Sequence, residues 1–76
     1  MYYKQVELSK KIKNGHKRYV SYIPACFAIE SKYLQIKDED GSIDTFQVTQ
    51  VFHTITEKQL LALSTAQRKF KYVLGG

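Results

Sequence analysis

The clearest pattern in the chain is an alternation of apolar and polar residues through its first two-thirds. Alternation with a period of two is typical of strands that bury one face. Polar and turn-forming segments interrupt it and divide it into separate runs. The runs predict four strands, at residues 2–8, 17–23, 33–37 and 43–53.

Turn-forming residues separate these predicted strands. Asn14-Gly15 predicts a type I′ hairpin turn, because both residue types tolerate a positive φ. Pro24 ends the second strand, since it cannot donate a backbone hydrogen bond. Residues 25–30 have room for one helical turn, and residues 38–41 form a polar turn before the fourth strand. We expect the helical turn to place two side chains under the sheet, Phe27 and Ile29.

The fourth predicted strand contains a break in its alternation. Phe46 and Val48 share one face, whereas Val51 falls on the other. A bulge near Thr49-Gln50 would place all three on the buried face, and bulges also let a small sheet curl. We therefore expect a curled sheet.

A helical pattern follows the fourth strand. Two overlapping segments, Thr54-Ile55-Thr56-Glu57 and Thr56-Glu57-Lys58-Gln59, fit a capping box, so a helix is predicted to begin close to Thr56 and to end before Gly75-Gly76. Its apolar residues fall on one side at helical spacing. They are Leu60, Leu63, Ala66, Phe70, Val73 and Leu74.

These elements predict one α+β domain over residues 1–76. Seventy-six residues are enough for a single core. We expect a curled four-stranded antiparallel sheet or small open barrel over residues 1–53, with a short helical turn near 25–30. The helix over 56–74 would pack on one face of the sheet, because two packed layers bury both apolar surfaces.

The net charge of +5 is unevenly placed along the chain. Positive residues predominate over 1–18 and from 57 onward, whereas the segment 30–44 is acidic. Such a polarity favours an anionic partner on one side of the molecule. The alternative is an ordinary solvated surface of mixed charge.

The single cysteine, Cys26, excludes an intramolecular disulfide. Small secreted domains usually carry several disulfides, so we expect a cytoplasmic protein. The start of the chain lacks an apolar signal segment, and no run approaches the length needed to cross a bilayer. We expect no membrane partner.

Catalytic chemistry has little support in the sequence. His16, His53 and Cys26 do not have the spacing of a zinc site, and Cys26 lies in an apolar stretch where cysteine usually behaves as a buried hydrophobe. The carboxylates around Gly41 lack the spacing of a calcium loop. We therefore expect no enzyme activity, no catalytic residues, no metal and no cofactor, and a function that depends on binding.

The strongest binding feature is a basic hairpin loop next to tyrosines. Lysine and arginine attract a phosphate backbone whatever its base sequence, and aromatic rings beside these cations can stack on bases. The predicted function is therefore nucleic-acid binding. The predicted contact residues are Lys10, Lys11, Lys13, Lys17, Arg18, Tyr19, Tyr22, Arg68, Lys69 and Lys71.

A protein partner is the alternative, because tyrosine and arginine also concentrate at protein interfaces. In that case the outer side of the predicted helix would bind a host or phage protein, or a second copy of the chain in a homodimer. Its predicted interface residues are Leu61, Thr65, Arg68 and Tyr72.

Two segments, Val20-Ser21-Tyr22-Ile23-Pro24-Ala25-Cys26-Phe27-Ala28 and Lys32-Tyr33-Leu34-Gln35-Ile36-Lys37-Asp38, carry a resemblance to known proteins. With Asp40-Gly41, Val48-Thr49-Gln50-Val51 and Gln67-Arg68-Lys69, they resemble a group of short, uncharacterised bacteriophage-encoded proteins. Tryptophans usual in that group are replaced here by Tyr22 and Phe46. The resemblance implies a phage or mobile-element origin and an accessory protein that binds nucleic acid or a host enzyme, and it supplies no functional residues.

Overall fold

The structure, a computed structural model, describes residues 1–37 and 40–63 and the backbone of 72–75. Its strands form one antiparallel sheet in the order β2-β1-β4-β3-β5, which confirms the four predicted strands and adds a fifth. In chain order the elements are β1 (Tyr2–Ile12), β2 (Gly15–Pro24), a 3-10 turn (Ala25–Phe27), β3 (Tyr33–Lys37), β4 (Ile43–Thr56), helix α1 (Glu57–Ala62) and β5 (Tyr72–Gly75).

The β1–β2 hairpin is longer than the alternation predicts. Its pairing continues to Ile12 opposite Gly15, so the two turn residues are Lys13 and Asn14. Gly15 has a φ of 139°, and positive φ elsewhere in the described chain occurs only at Ser31 and Gly41. The expected type I′ turn is therefore wrong: the glycine accommodates the unusual backbone after the turn rather than within it.

The bulge expected in β4 is present. The register between β1 and β4 shifts between Glu7 and Leu8, where Thr49 is the additional residue of β4. The Thr49 hydroxyl lies 2.8 Å from Glu7 Oε1 and 3.1 Å from the Glu7 carbonyl oxygen, which fixes the bulge to its neighbour. A second register shift lies between Lys4 and Val6. Both shifts bend β4 and help the sheet to curl.

The main core lies on one face of the curled sheet. Val51 and Phe27 pack against this core as expected. Ile29, which was expected to be buried, is exposed, and Ala28 is buried instead. The structure thus corrects the prediction for Ile29. The buried residues of this core are Val6, Leu8, Ile23, Ala28, Leu34, Ile36, Phe46 and Val48.

The helix begins where the sequence predicts, and it is much shorter than predicted. Thr56 accepts a hydrogen bond from the Gln59 backbone, and the Gln59 side chain accepts one from the Thr56 backbone, which completes the second of the two expected capping boxes. The chain leaves the helix at Leu63, whose φ and ψ are −70° and 149°. The expected helix over 56–74 is therefore wrong beyond Ala62 as far as the structure describes it, and residues 64–71 lie outside the described residues.

Residues predicted as the last helical turn belong to β5. This strand pairs with β3, with Tyr72 opposite Lys37 and Val73 opposite Ile36. Tyrosine and valine favour strands, and the open edge of β3 supplies the backbone partners that a helix end would lack. Helical spacing of apolar residues at this end of the chain was thus no guide to its structure.

The sheet curls into a half-barrel. Cα atoms of the two edge strands, β2 and β5, approach each other within 8 Å. The short helix α1 contributes Leu60 to a second, smaller core on the opposite face of the sheet, where Leu60 packs with Tyr3 and Tyr22. Among the described residues, no helix has the length and apolar character needed to span a membrane.

Candidate nucleic-acid interface

The basic residues of the first third of the chain meet in one projecting hairpin. Ladder pairing between β1 and β4 stops at Ser9, whereas β1 stays paired with β2 up to Ile12 and Gly15. The last three residues of β1 thus form a two-stranded extension of about 10 Å, at about 3.3 Å per residue. Every residue from 11 to 18 is exposed. The extension and its base carry Lys10, Lys11, Lys13, His16, Lys17 and Arg18.

Two of these cations have acidic partners. Lys10 Nζ lies 2.9 Å from Asp44 Oδ2, and both side chains are half-buried. Arg18 Nη1 lies 3.9 Å from Glu7 Oε1, a distance too long for a strong hydrogen bond, and its side chain remains 70% exposed. Arg18 therefore stays accessible to a phosphate, while Lys10 is held by the protein itself.

An acidic turn lies at the same end of the sheet as the basic hairpin. Asp40 Oδ1 accepts hydrogen bonds from the Ser42 hydroxyl at 2.6 Å and from the Ser42 backbone at 2.9 Å. These two bonds, with a smaller contribution from the charge of Lys10, hold the pKa of Asp40 below its ordinary value of 3.8. The acidic and basic segments of the sequence are therefore neighbours in space, at one end of the sheet.

Tyr19 and Tyr22 lie three positions apart in β2, an odd separation that points their side chains to opposite faces of the strand. The Tyr19 ring packs edge-on against Phe46, with 5.7 Å between ring centroids, and Lys17 Nζ lies 5.5 Å from the Tyr19 centroid. Tyr22 is only 8% exposed and packs under Leu60 of the helix and against the His53 ring. The Tyr22 ring is therefore not open for base stacking in this conformation, whereas Tyr19 is half-buried at the edge of the main core.

Most of the other predicted contact and interface residues lie in the last part of the chain. Arg68, Lys69 and Lys71 lie outside the described residues, and so does Thr65 of the alternative interface. Leu61 is 64% exposed on α1. Tyr72 belongs to β5, so the continuous helix face predicted to join Leu61 and Tyr72 is not formed.

Sequence reasoning missed an exposed tyrosine on the sheet. Tyr33, in β3, is 61% exposed. Tyr33 pairs with Gln47 of β4, and Gln47 pairs with Ser9 of β1. Ser9 pairs in turn with Arg18 of β2. Directly paired residues share a face, so Tyr33 and Arg18 lie at the two ends of one row across the sheet. The alternation of residues 33–37 already placed Tyr33 on the polar face and was the signal that could have found it.

We call this side of the sheet, opposite the main core, the outer face. Near Thr56 it is covered by α1, whereas toward the hairpin it is exposed. The next row carries Lys11 paired with His16 on one side and Thr45 paired with Gln35 on the other. Over the residues that the structure describes, the uncovered part is mostly polar apart from Val20, with cations along its β1–β2 side and the Tyr33 ring on β3.

The expectation of a buried Cys26 is wrong, since its side chain is exposed in the middle of the 3-10 turn that follows Pro24. The turn is too short to cover both Cys26 and Ala28, and the latter faces the core. Over residues 1–37 and 40–63, no group of three or more histidine, cysteine or acidic side chains is arranged to hold a metal ion.

No protein-family model matches the chain, and no curated protein or solved structure is significantly similar to it.

Proposed function

We propose that this chain is a nucleic-acid-binding module whose projecting hairpin grips the phosphate backbone. The supporting observation is the concentration of exposed cations on the extension, where Lys11, Lys13, Lys17 and Arg18 lie together with no acidic residue between them in sequence. A two-stranded extension of this kind offers cations on both of its sides to one polyanion. Phosphates bind such cations electrostatically, whatever the base sequence.

The binding reaction is an exchange of ions. Each lysine that reaches a phosphate releases a condensed counterion, so affinity falls with salt by a slope of about 0.7 per contact on a single strand and about 0.9 on duplex DNA. Lys10 contributes less than the others because Asp44 already neutralises it at 2.9 Å. The hairpin therefore presents four cations to the ligand.

A matched pair of double variants tests the role of the hairpin. Lys11→Gln with Lys13→Gln removes two charges from the extension, and Lys4→Gln with Lys58→Gln removes two charges from the other end of the sheet. Binding of a labelled oligonucleotide is measured by fluorescence anisotropy over a series of salt concentrations. We expect the hairpin variant to bind more weakly and with a salt slope lower by about 1.4 on a single strand. The control variant should retain most of the slope.

Equal losses in the two double variants would contradict the proposal, because attraction would then follow net charge rather than the hairpin. Lys11 and Lys13 are exposed, so their replacement should leave the fold intact, which circular dichroism checks. A partner that binds independently of salt and of both pairs of lysines would instead favour the alternative of a host or phage protein.

A further inference from the structure

Tyr33 differs in its surroundings from Tyr3, Tyr19 and Tyr22. Tyr3 and Tyr22 are buried in the smaller core, and Tyr19 packs on Phe46. Tyr33 instead projects from the outer face with most of its ring exposed. Its backbone is nevertheless well anchored, because the next residue, Leu34, is buried in the main core. The ring is therefore an exposed apolar surface on a rigid strand.

The side chains beside Tyr33 in its row are polar, and they are small or directed toward the protein. Its neighbour across β4 is Gln47, whose Nε2 atom lies 3.4 Å from the Ser31 carbonyl oxygen and is thus directed back toward the protein. Beyond Gln47 the row continues with the small side chain of Ser9 and then with Arg18. No bulky side chain stands between the ring and the arginine in this row. Because the sheet curls around the main core, the row is convex, so a flexible chain can follow it whereas a rigid flat molecule cannot contact both ends.

Distance and charge make the row suitable for a nucleotide chain. Three strand intervals of about 4.8 Å separate Tyr33 from Arg18, a span of about 14 Å between backbones. The Arg18 guanidinium lies 3.9 Å from Glu7 of β1, the neighbouring strand in the direction of β3. Lys11 adds a second cation in the neighbouring row, whereas Glu7 is the acidic residue on this face nearest to Arg18 and is only 20% exposed. A backbone held by the cations of β1–β2 could therefore continue along the row and bring one of its bases to the Tyr33 ring on β3.

We infer that Tyr33 is the platform on which a base of a single-stranded nucleic acid stacks while Arg18 and Lys11 hold its phosphates. This inference rests on the function proposed above and adds the class of ligand. Bases of a duplex stack on one another and hide their faces, whereas an unpaired base can lie flat on a tyrosine ring. The ligand is therefore a single strand rather than a duplex.

The test uses two variants of Tyr33 and one matched control. Tyr33→Thr keeps a residue that favours strands and removes the ring, and Tyr33→Phe keeps the ring. Tyr2→Thr removes a tyrosine of similar exposure, 63%, that pairs with Thr56 at the other end of the sheet. Seven residues of β1 separate it from the Arg18 row, about 23 Å at about 3.3 Å per residue.

Each protein is titrated against three probes of about 12 nucleotides: oligothymidylate, an abasic strand of the same length and charge, and a duplex. We expect the wild type to bind oligothymidylate about 10-fold more tightly than the abasic strand, which corresponds to one stacked base. Tyr33→Thr should abolish this preference and leave the salt slope unchanged. Tyr33→Phe and Tyr2→Thr should retain the preference.

Three outcomes overturn the inference: equal wild-type affinity for the base-bearing and abasic strands, a preference that survives in Tyr33→Thr, or tighter binding of the duplex. If steep salt dependence persists in any of these cases, the hairpin function stands and only the stacking platform fails. If no probe binds in a salt-dependent way, the proposed function itself fails.

Discussion

Ser31 shows how a single residue shapes the outer face. Its φ of 71° is the one positive value at a non-glycine position among the described residues. The Ser31 backbone N–H donates to the Val48 carbonyl at 2.7 Å, and Val48 donates back to the Lys32 carbonyl at 2.9 Å. These bonds hold the chain in a strained conformation just before Tyr33, so the entry into β3 is fixed by β4.

Ser31→Gly should stabilise the protein. Glycine removes the cost of a left-handed backbone, about 1–3 kcal/mol. It also makes the unfolded chain more flexible, which costs about 0.5–1 kcal/mol on folding. The free energy of unfolding should therefore rise by about 1 kcal/mol. Urea unfolding measures the change. Ser9→Gly is the control, because a strand interior without positive φ gains nothing from glycine and should lose stability. A loss in Ser31→Gly equal to that in Ser9→Gly would show that the position is not strained.

Residue patterns account for the location of some site residues and fail for others. Parity placed Tyr19 and Tyr22 on opposite faces, and the structure agrees. It could not show that the Tyr22 ring would be covered, because the position of α1 over Tyr22 is a long-range contact. Tyr33 was open to the same reasoning, since the alternation that buries Leu34 turns its neighbour outward.

At the scale of elements, the strands were predictable and the end of the chain was not. Each strand buries one face, so local alternation contains the necessary information, and even the bulge at Thr49 follows from a break in parity. The strand β5 depends instead on the open edge of β3, which no local pattern reveals. Apolar residues at 73 and 74 fit a helix and a strand equally well, and pairing decides between them.

The short helix α1 should depend strongly on its cap. With six residues it makes few internal hydrogen bonds, and Thr56 and Gln59 satisfy two backbone donors at its start. Thr56→Ala should lower the free energy of unfolding by about 1 kcal/mol. Thr54→Ala is the matched control, since Thr54 is exposed in the same strand and makes no cap. Equal destabilisation in urea would mean that strand preference, rather than capping, explains the loss.

At the scale of the whole molecule, the fold changes the meaning of the charge pattern. The sequence separates a basic start from an acidic middle, whereas the antiparallel sheet brings them to one end, where Lys10 and Asp44 form an ion pair at 2.9 Å. Under the proposed function, a nucleic-acid ligand therefore contacts the exposed cations of the hairpin rather than a positive half of the molecule. Affinity should come from contacts with a few phosphates, and the slope of log affinity against log salt should give the number of these contacts.

The most direct test of this account is the affinity of the wild-type protein for a single-stranded oligonucleotide as a function of salt. Four hairpin cations predict a slope of about 3 in log affinity against log salt, or about a 50-fold loss between about 50 and 200 mM. Such a result would support contact between the hairpin and phosphates. An affinity that stays constant over that range would contradict it.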